Sequence, residues 1–232
     1  MKVLSVLLAS VVAVTPIARA AEPDHLVPVF PHPGDQEDAR YSNELRSRFK
    51  LDSVFFAQMV VRPSFHSEYV VRLHGQKEDN HFTTANQFFL TYSIADKNIW
   101  YSMREDNDKK RKQKVKISTT TAEIPKALAL RIQQLWEQML LRTRYREQDV
   151  ISSHETERII GTDGTIFEFA VWNAYGKTWS PDERLSPLLL VELGESLVGY
   201  CKAIPGERPA ATNEIENKAA QLEQYLNEHP FN

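Results

Sequence analysis

Seven histidines, a single cysteine and a few carboxylates are the side chains in this 232-residue sequence with chemistry to offer. A zinc-protease helix needs two histidines one turn apart, with a glutamate between them, so that both rings reach one ion. His154-Glu155-Thr156-Glu157-Arg158 supplies the first half and puts Arg158 where the second histidine belongs. His66, His74 and His81 fall near neighbouring strand ends and loops and are the only grouping that could converge on a metal. A site needs three or four ligands about 2 Å from one ion. Scattered surface histidines are commoner, so no metal and no cofactor is assigned.

Nucleophiles fare no better. Gly194-Glu195-Ser196-Leu197-Val198 approaches the nucleophile elbow of hydrolases, but Val198 stands in the final glycine position. The motif also falls in a helical pattern, where no strained turn raises the hydroxyl. Cys201 lies on an apolar helical stripe and reads as a small buried hydrophobe. With eight glycines in the chain, no phosphate loop or dinucleotide fingerprint is found. Glu168 is the one carboxylate set mid-strand among apolar neighbours, and it reads as the solvent-facing residue of an amphipathic strand. Glycoside cleavage by paired carboxylates stays open, because such pairs come from distant positions.

Two clusters remain. Trp172, Tyr175 and Trp179 surround Asn173, Gly176 and Lys177 at an expected strand end and loop. Large aromatics there are a core lid or a binding surface able to stack on sugar rings. The second cluster is the mixed-charge linker Arg104–Lys114, whose basic half holds Lys109, Lys110, Arg111, Lys112 and Lys114. It reads as a solvated hairpin tip, with docking of an anionic partner as the sharper alternative.

The elements that must position these residues follow from periodicity. Tyr41, Leu45 and Phe49 recur every four residues and predict a short amphipathic helix. Strands are expected at Ser53–Arg62, Glu68–Leu73, Phe88–Ile94, Ile99–Met103, Val115–Thr119, Glu157–Gly161 and Thr165–Trp172. The first is apolar on both faces, as a central strand is. Asp163-Gly164 predicts a tight hairpin between the last two. Helices are expected at Ile124–Arg144, capped by Thr120 or Thr121, at Ser186–Lys202, and at Asn213–Asn227. Ser180-Pro181-Asp182-Glu183 reads as a capping box ahead of the second. The fold class is therefore α+β: an antiparallel sheet of about seven strands with long amphipathic helices packed on one face.

Residues 1–20 carry Lys2, an apolar run from Val3 to Val14, and Ala18-Arg19-Ala20. That is the pattern of a secretory signal cleaved after Ala20, and the run is too short for a comfortable bilayer span. No transmembrane segment is expected beyond it. A Pro-rich arm follows over 21–37, then a single domain over 38–206 and a peripheral C-terminal helix over 207–232. The formal charge of −3 becomes more negative once Lys2 and Arg19 are removed, which argues against a general nucleic-acid binder. The expectation is an exported, periplasmic or secreted bacterial protein. It would serve as a non-catalytic binding module of inhibitor, immunity or envelope-assembly type, with a protein partner in the cell envelope. The alternative is an envelope hydrolase acting on sugar or cell-wall substrates.

Overall fold

The structure, a computed structural model, describes residues 23–29, 36–51, 55–76, 85–105, 114–145 and 164–230. The expected signal, the Glu157–Gly161 strand, Asp163, His81 and His154, and Lys109 to Lys112, lie outside the described residues.

The alternation in Ala57–Pro63 (β1) sets the architecture, because apolar residues at successive positions demand cover on both faces. β1 pairs antiparallel with Tyr69–Gly75 (β2) on one side and Thr165–Val171 (β5) on the other. β2 pairs with Phe88–Ala95 (β3), β3 with Ile117–Ile124 (β4), and β5 with Ala174–Trp179 (β6). Among the described residues the result is one six-stranded antiparallel sheet, ordered β4-β3-β2-β1-β5-β6, within an α+β fold.

One face holds the main core. Met59, Val61, Val71, Leu73, Leu90 and Phe169 meet helices α3 (Lys126–Leu141), α4 (Ser186–Lys202) and α5 (Arg208–Glu228). Trp136 of α3 is fully buried and stands edge-on to Phe169, ring centroids 5.5 Å apart. Ile215, Ala219, Leu222 and Leu226 of α5 are all buried there, so the stripe of the C-terminal helix is used inside the chain's own core. Its start at Arg208 is earlier than the expected Asn213.

The opposite face carries a second core. Tyr41, Leu45 and Phe49 of α1 (Gln36–Phe49) pack on Val60, Val70 and Ala95, joined by Ile99 of α2 (Ile99–Glu105). Helices therefore cover both faces: α3, α4 and α5, the three longest among the described residues, lie on the main face, and the shorter α1 and α2 on the other. The expected strand at Ile99–Met103 is corrected: it is helix α2. Asn98 Oδ1 accepts from the Tyr101 N–H at 3.0 Å, and the Glu68 carboxylate accepts from the N–H groups of Ile99 (2.7 Å) and Trp100 (3.3 Å). Three N-terminal donors are thus satisfied, and this fixes the helical turn against the alternating pattern.

The expected helix caps are displaced too. Thr120 and Thr121 lie within β4, and Pro125 precedes α3 with no side-chain cap. Ser180 takes a positive φ of 39° and its hydroxyl accepts from Thr165 N–H at 2.7 Å, so it closes the β5–β6 pair and does not start α4. The start of α4 is instead held from 162 positions earlier. Asp24 Oδ1 accepts from the Ser186 backbone N–H (3.1 Å) and from its hydroxyl (2.8 Å). The arm that brings Asp24 there also buries Leu26 completely and forms a bridge from Val27 to Lys177 on β6. Asp24→Ala should therefore destabilise the protein by about 0.5–2 kcal/mol, the ordinary cost of a lost N-terminal cap. Denaturant unfolding of the variant against the unsubstituted chain measures this.

Candidate functional site

β6 is the element that sequence reading placed in a loop, and it organises the site. Val171 and Ala174 are joined by the two-residue turn Trp172-Asn173, with Trp172 at φ 52°. Tight hairpins demand positive φ, and here a bulky residue supplies it. A two-residue hairpin therefore joins β5 to β6 at Trp172-Asn173; of the expected Asp163-Gly164 turn, Asp163 and the strand before it lie outside the described residues. Gly176 permits the strand to sit close: a Cβ there would meet Thr143 Oγ1 at 2.8 Å and Leu26 Cβ at 2.9 Å.

Period-two alternation then sorts the aromatic cluster. Gly176 and Thr178 are buried toward the main core, while Tyr175, Lys177 and Trp179 point to the other face. Tyr175 is 50% exposed and Trp179 41% exposed. They stand roughly 13 Å apart along the strand, at about 3.3 Å per residue. Trp172 does not join them. It packs on the buried Phe56 at the sheet end, ring centroids 5.7 Å apart, and acts as a partial lid. Trp179 is seated on Gly164, where an added Cβ would fall 2.1 Å from its indole nitrogen.

The register lays out the floor beside this strip. Gln58, Ala170 and Tyr175 form one row across β1, β5 and β6; Val60, Glu168 and Lys177 form the next; Arg62, Ile166 and Trp179 the third. α1 covers part of this surface and leaves a groove of about 570 Å³ along its flank, lined by Ser42, Asn43 and Arg46 from the helix and by Gln58, Arg62, Glu168, Tyr175 and Lys177 from the sheet. Arg62 Nη1 donates to Glu168 Oε1 at 2.7 Å, and its guanidinium lies 4.6 Å from the centre of the Tyr41 ring. The Tyr41 hydroxyl in turn donates to Glu68 Oε1 at 2.7 Å. Burial first, then the Glu68 carboxylate, pushes the Tyr41 hydroxyl far above the usual phenol range, so it stays a donor. Arg72, a second guanidinium carried by the sheet on this face, donates to Gln58 Oε1 at 2.7 Å; burial lowers it to about 10, and it remains charged at neutral pH.

The other candidate residues are dispersed. His66 is exposed in the β1–β2 connection, and its backbone carbonyl accepts from Asn98 Nδ2 at 2.8 Å. His74 lies at the opposite end of β2, with Nδ1 2.9 Å from Gly75 O and Nε2 2.8 Å from Thr91 Oγ1. Burial, its largest influence, lowers the His74 pKa. The two rings do not converge, and no group of metal-ligating side chains occurs among the described residues. Lys114 is exposed just ahead of β4. Ser196 is buried within α4, its hydroxyl donating to Leu193 O at 2.6 Å, and buried Cys201 has its thiol pushed up to about 12 by desolvation, so neither is poised as a nucleophile. Glu168 is only half-buried and ion-paired, not solvent-facing as its strand position suggested.

No family model, no curated protein and no solved structure matches this chain.

The exposures predict unequal costs for two tryptophans. Trp136→Ala should lose about 3–5 kcal/mol, the range for a fully buried aromatic, and Trp179→Ala distinctly less. Chemical denaturation of both variants decides whether Trp179 is surface or core.

Proposed function

We propose that the protein is an exported, non-catalytic binding module whose working surface is the strip Tyr175–Lys177–Trp179 and the groove beside it. One observation carries the reading. Two half-exposed aromatics flank a lysine on one face of a single strand, next to a groove floored by an Arg62–Glu168 pair. Aromatic bodies with polar tips are the side chains that interfaces concentrate, since they gain contact area at low entropic cost. The apolar pattern of residues 1–20 supports export through a signal cleaved after Ala20, and a protein partner in the cell envelope fits that location. The basic segment Lys109–Lys112, with Lys114, is a second docking candidate for an anionic partner.

The alternative, an envelope hydrolase, draws on the same groove, because Tyr175 and Trp179 present rings that sugars stack on. Glu168 is the carboxylate among the described residues lining it, and Arg62 holds that carboxylate in an ion pair. Cleavage of the glycosidase type needs two facing carboxylates, and Glu168 is the one that lines the groove among the described residues. The groove therefore favours holding a ligand over cleaving one.

The test is capture from the envelope fraction of the native host by the C-terminally tagged mature chain. A single stoichiometric partner is expected, lost in the Tyr175→Ala/Trp179→Ala double variant and kept in Trp172→Ala. No partner after gentle crosslinking, or capture indifferent to the double variant, contradicts the proposal. Release of wall fragments by the purified chain would favour the hydrolase.

A further inference from the structure

The two edges of the sheet are treated differently. On the β6 edge, the Val27 N–H donates to Lys177 O (2.9 Å) and the Lys177 N–H to Val27 O (2.8 Å), so the arm occupies the strand's outward groups at its centre. The β4 edge pairs only with β3, and among the described residues no strand lies beyond it. Exposed edges are normally guarded by a proline, an added charge or a bulge. Over Ile117–Ile124, reading ISTTTAEI, there is no proline or glycine, and Glu123 is the one charged side chain.

The register identifies which groups are open. Asp96 N–H donates to Lys116 O at 2.9 Å, and Lys116 is opposite Asp96 in the continuation of the β3–β4 pairing. In an antiparallel ladder, bonded and non-bonded positions alternate. Ser118, Thr120, Ala122 and Ile124 therefore bond to β3, and Ile117, Thr119, Thr121 and Glu123 turn their backbone groups outward. An independent contact agrees on the direction: the carbonyl of Glu123 is met from outside the ladder by the Tyr200 hydroxyl at 2.6 Å, so that carbonyl is taken and the open groups are those of Ile117, Thr119 and Thr121.

We propose that the β4 edge is a self-association surface, on which a second copy of this chain adds its own β4 antiparallel about a two-fold axis through Thr120. The sequence is self-complementary in that register. Thr119 faces Thr121 of the second copy and Thr121 faces its Thr119, so outward-turned residues meet outward-turned residues in both directions. Thr120 faces its own counterpart. Glu123 falls opposite Ile117, so the strand's carboxylates are kept apart. The side chains support the same register. Thr121 Oγ1 lies 3.0 Å from Thr91 Oγ1, and Thr119 Oγ1 lies 3.0 Å from Ser93 Oγ, two hydroxyl rungs already built on one face of the sheet. The two-fold joins one rung to the other across the new edge, twice, and hydroxyl pairs of this kind favour strand pairing. Eight residues of edge bury less than a standard interface, so the association is weak and is best read by trapping.

Trapping can be made specific to register. Thr120 meets Thr120 as a non-hydrogen-bonded pair, with a Cα separation of about 4.5 Å, inside the range a disulfide spans. The one native cysteine, Cys201, is buried. Under mild oxidation the full chain carrying Thr120→Cys should form a covalent dimer, whereas Ser118→Cys, which faces Ala122 of the second copy, should form no disulfide-linked dimer. Adding Thr121→Pro to Thr120→Cys should abolish the dimer. That proline removes an outward N–H and no β3–β4 bond, and an unchanged melting curve verifies the fold. Thr120→Cys remaining monomeric at the highest soluble concentration overturns the proposal. So does crosslinking equal to that of Ser118→Cys, or crosslinking that survives Thr121→Pro in a folded chain.

Discussion

A single chain of contacts crosses the second face of the sheet, and the architecture there depends on it. Glu68 is fully buried at the start of β2, and a buried carboxylate is tolerable only when its lone pairs are occupied. Two backbone N–H groups of α2 and the hydroxyl of Tyr41 on α1 occupy them. The Tyr41 ring then lies under the Arg62 guanidinium, which holds Glu168 on the groove floor. One acid thus fixes two helices to the sheet, and the fixed helix α1 decides where the groove runs. Glu68, Tyr41, Arg62 and Glu168 thus form one run of contacts from the buried acid to the groove floor.

That arrangement explains why the surface strip lies where it does. α1 is short and covers the middle of the sheet, above β1 and β2. The outer strands β5 and β6 keep their second face partly open, and it carries Tyr175, Lys177 and Trp179. On the main face at this edge, the buried Leu26 of the arm packs against Gly176. The sheet thus has one edge tied down by its own arm and, among the described residues, the other edge paired only with β3.

Local periodicity made part of this legible. The four-residue spacing of Tyr41, Leu45 and Phe49 marked α1, and all three are buried. The two-faced apolarity of β1 marked a central strand, and β1 sits between β2 and β5. The same two-faced pattern demands cover on both sides, and α1 and α2 provide it on the second face. Long-range satisfaction was not legible. Ile99–Met103 alternates like a strand, and its helix exists because Glu68, 31 residues earlier in the chain, accepts its first N–H. Ser180-Pro181-Asp182-Glu183 has every local mark of a cap, yet Asp24 takes that role from the far end of the chain. β6 was missed because Gly176 and Lys177 weaken strand propensity, although Tyr175, Lys177 and Trp179 already recur with a period of two. In the aromatic cluster, sequence proximity suggested one site of three residues. Strand alternation separates Trp172 from the other two.

The most direct test of the Glu68–Tyr41 linkage is a double-mutant cycle in denaturant unfolding, using Tyr41→Phe, Glu68→Ala and the pair. A coupling of about 1 kcal/mol or more is expected, since the hydroxyl and the carboxylate act through each other in a buried site. Costs that add to within about 0.3–0.5 kcal/mol would contradict it, and would mean that α1 is held by its apolar stripe alone.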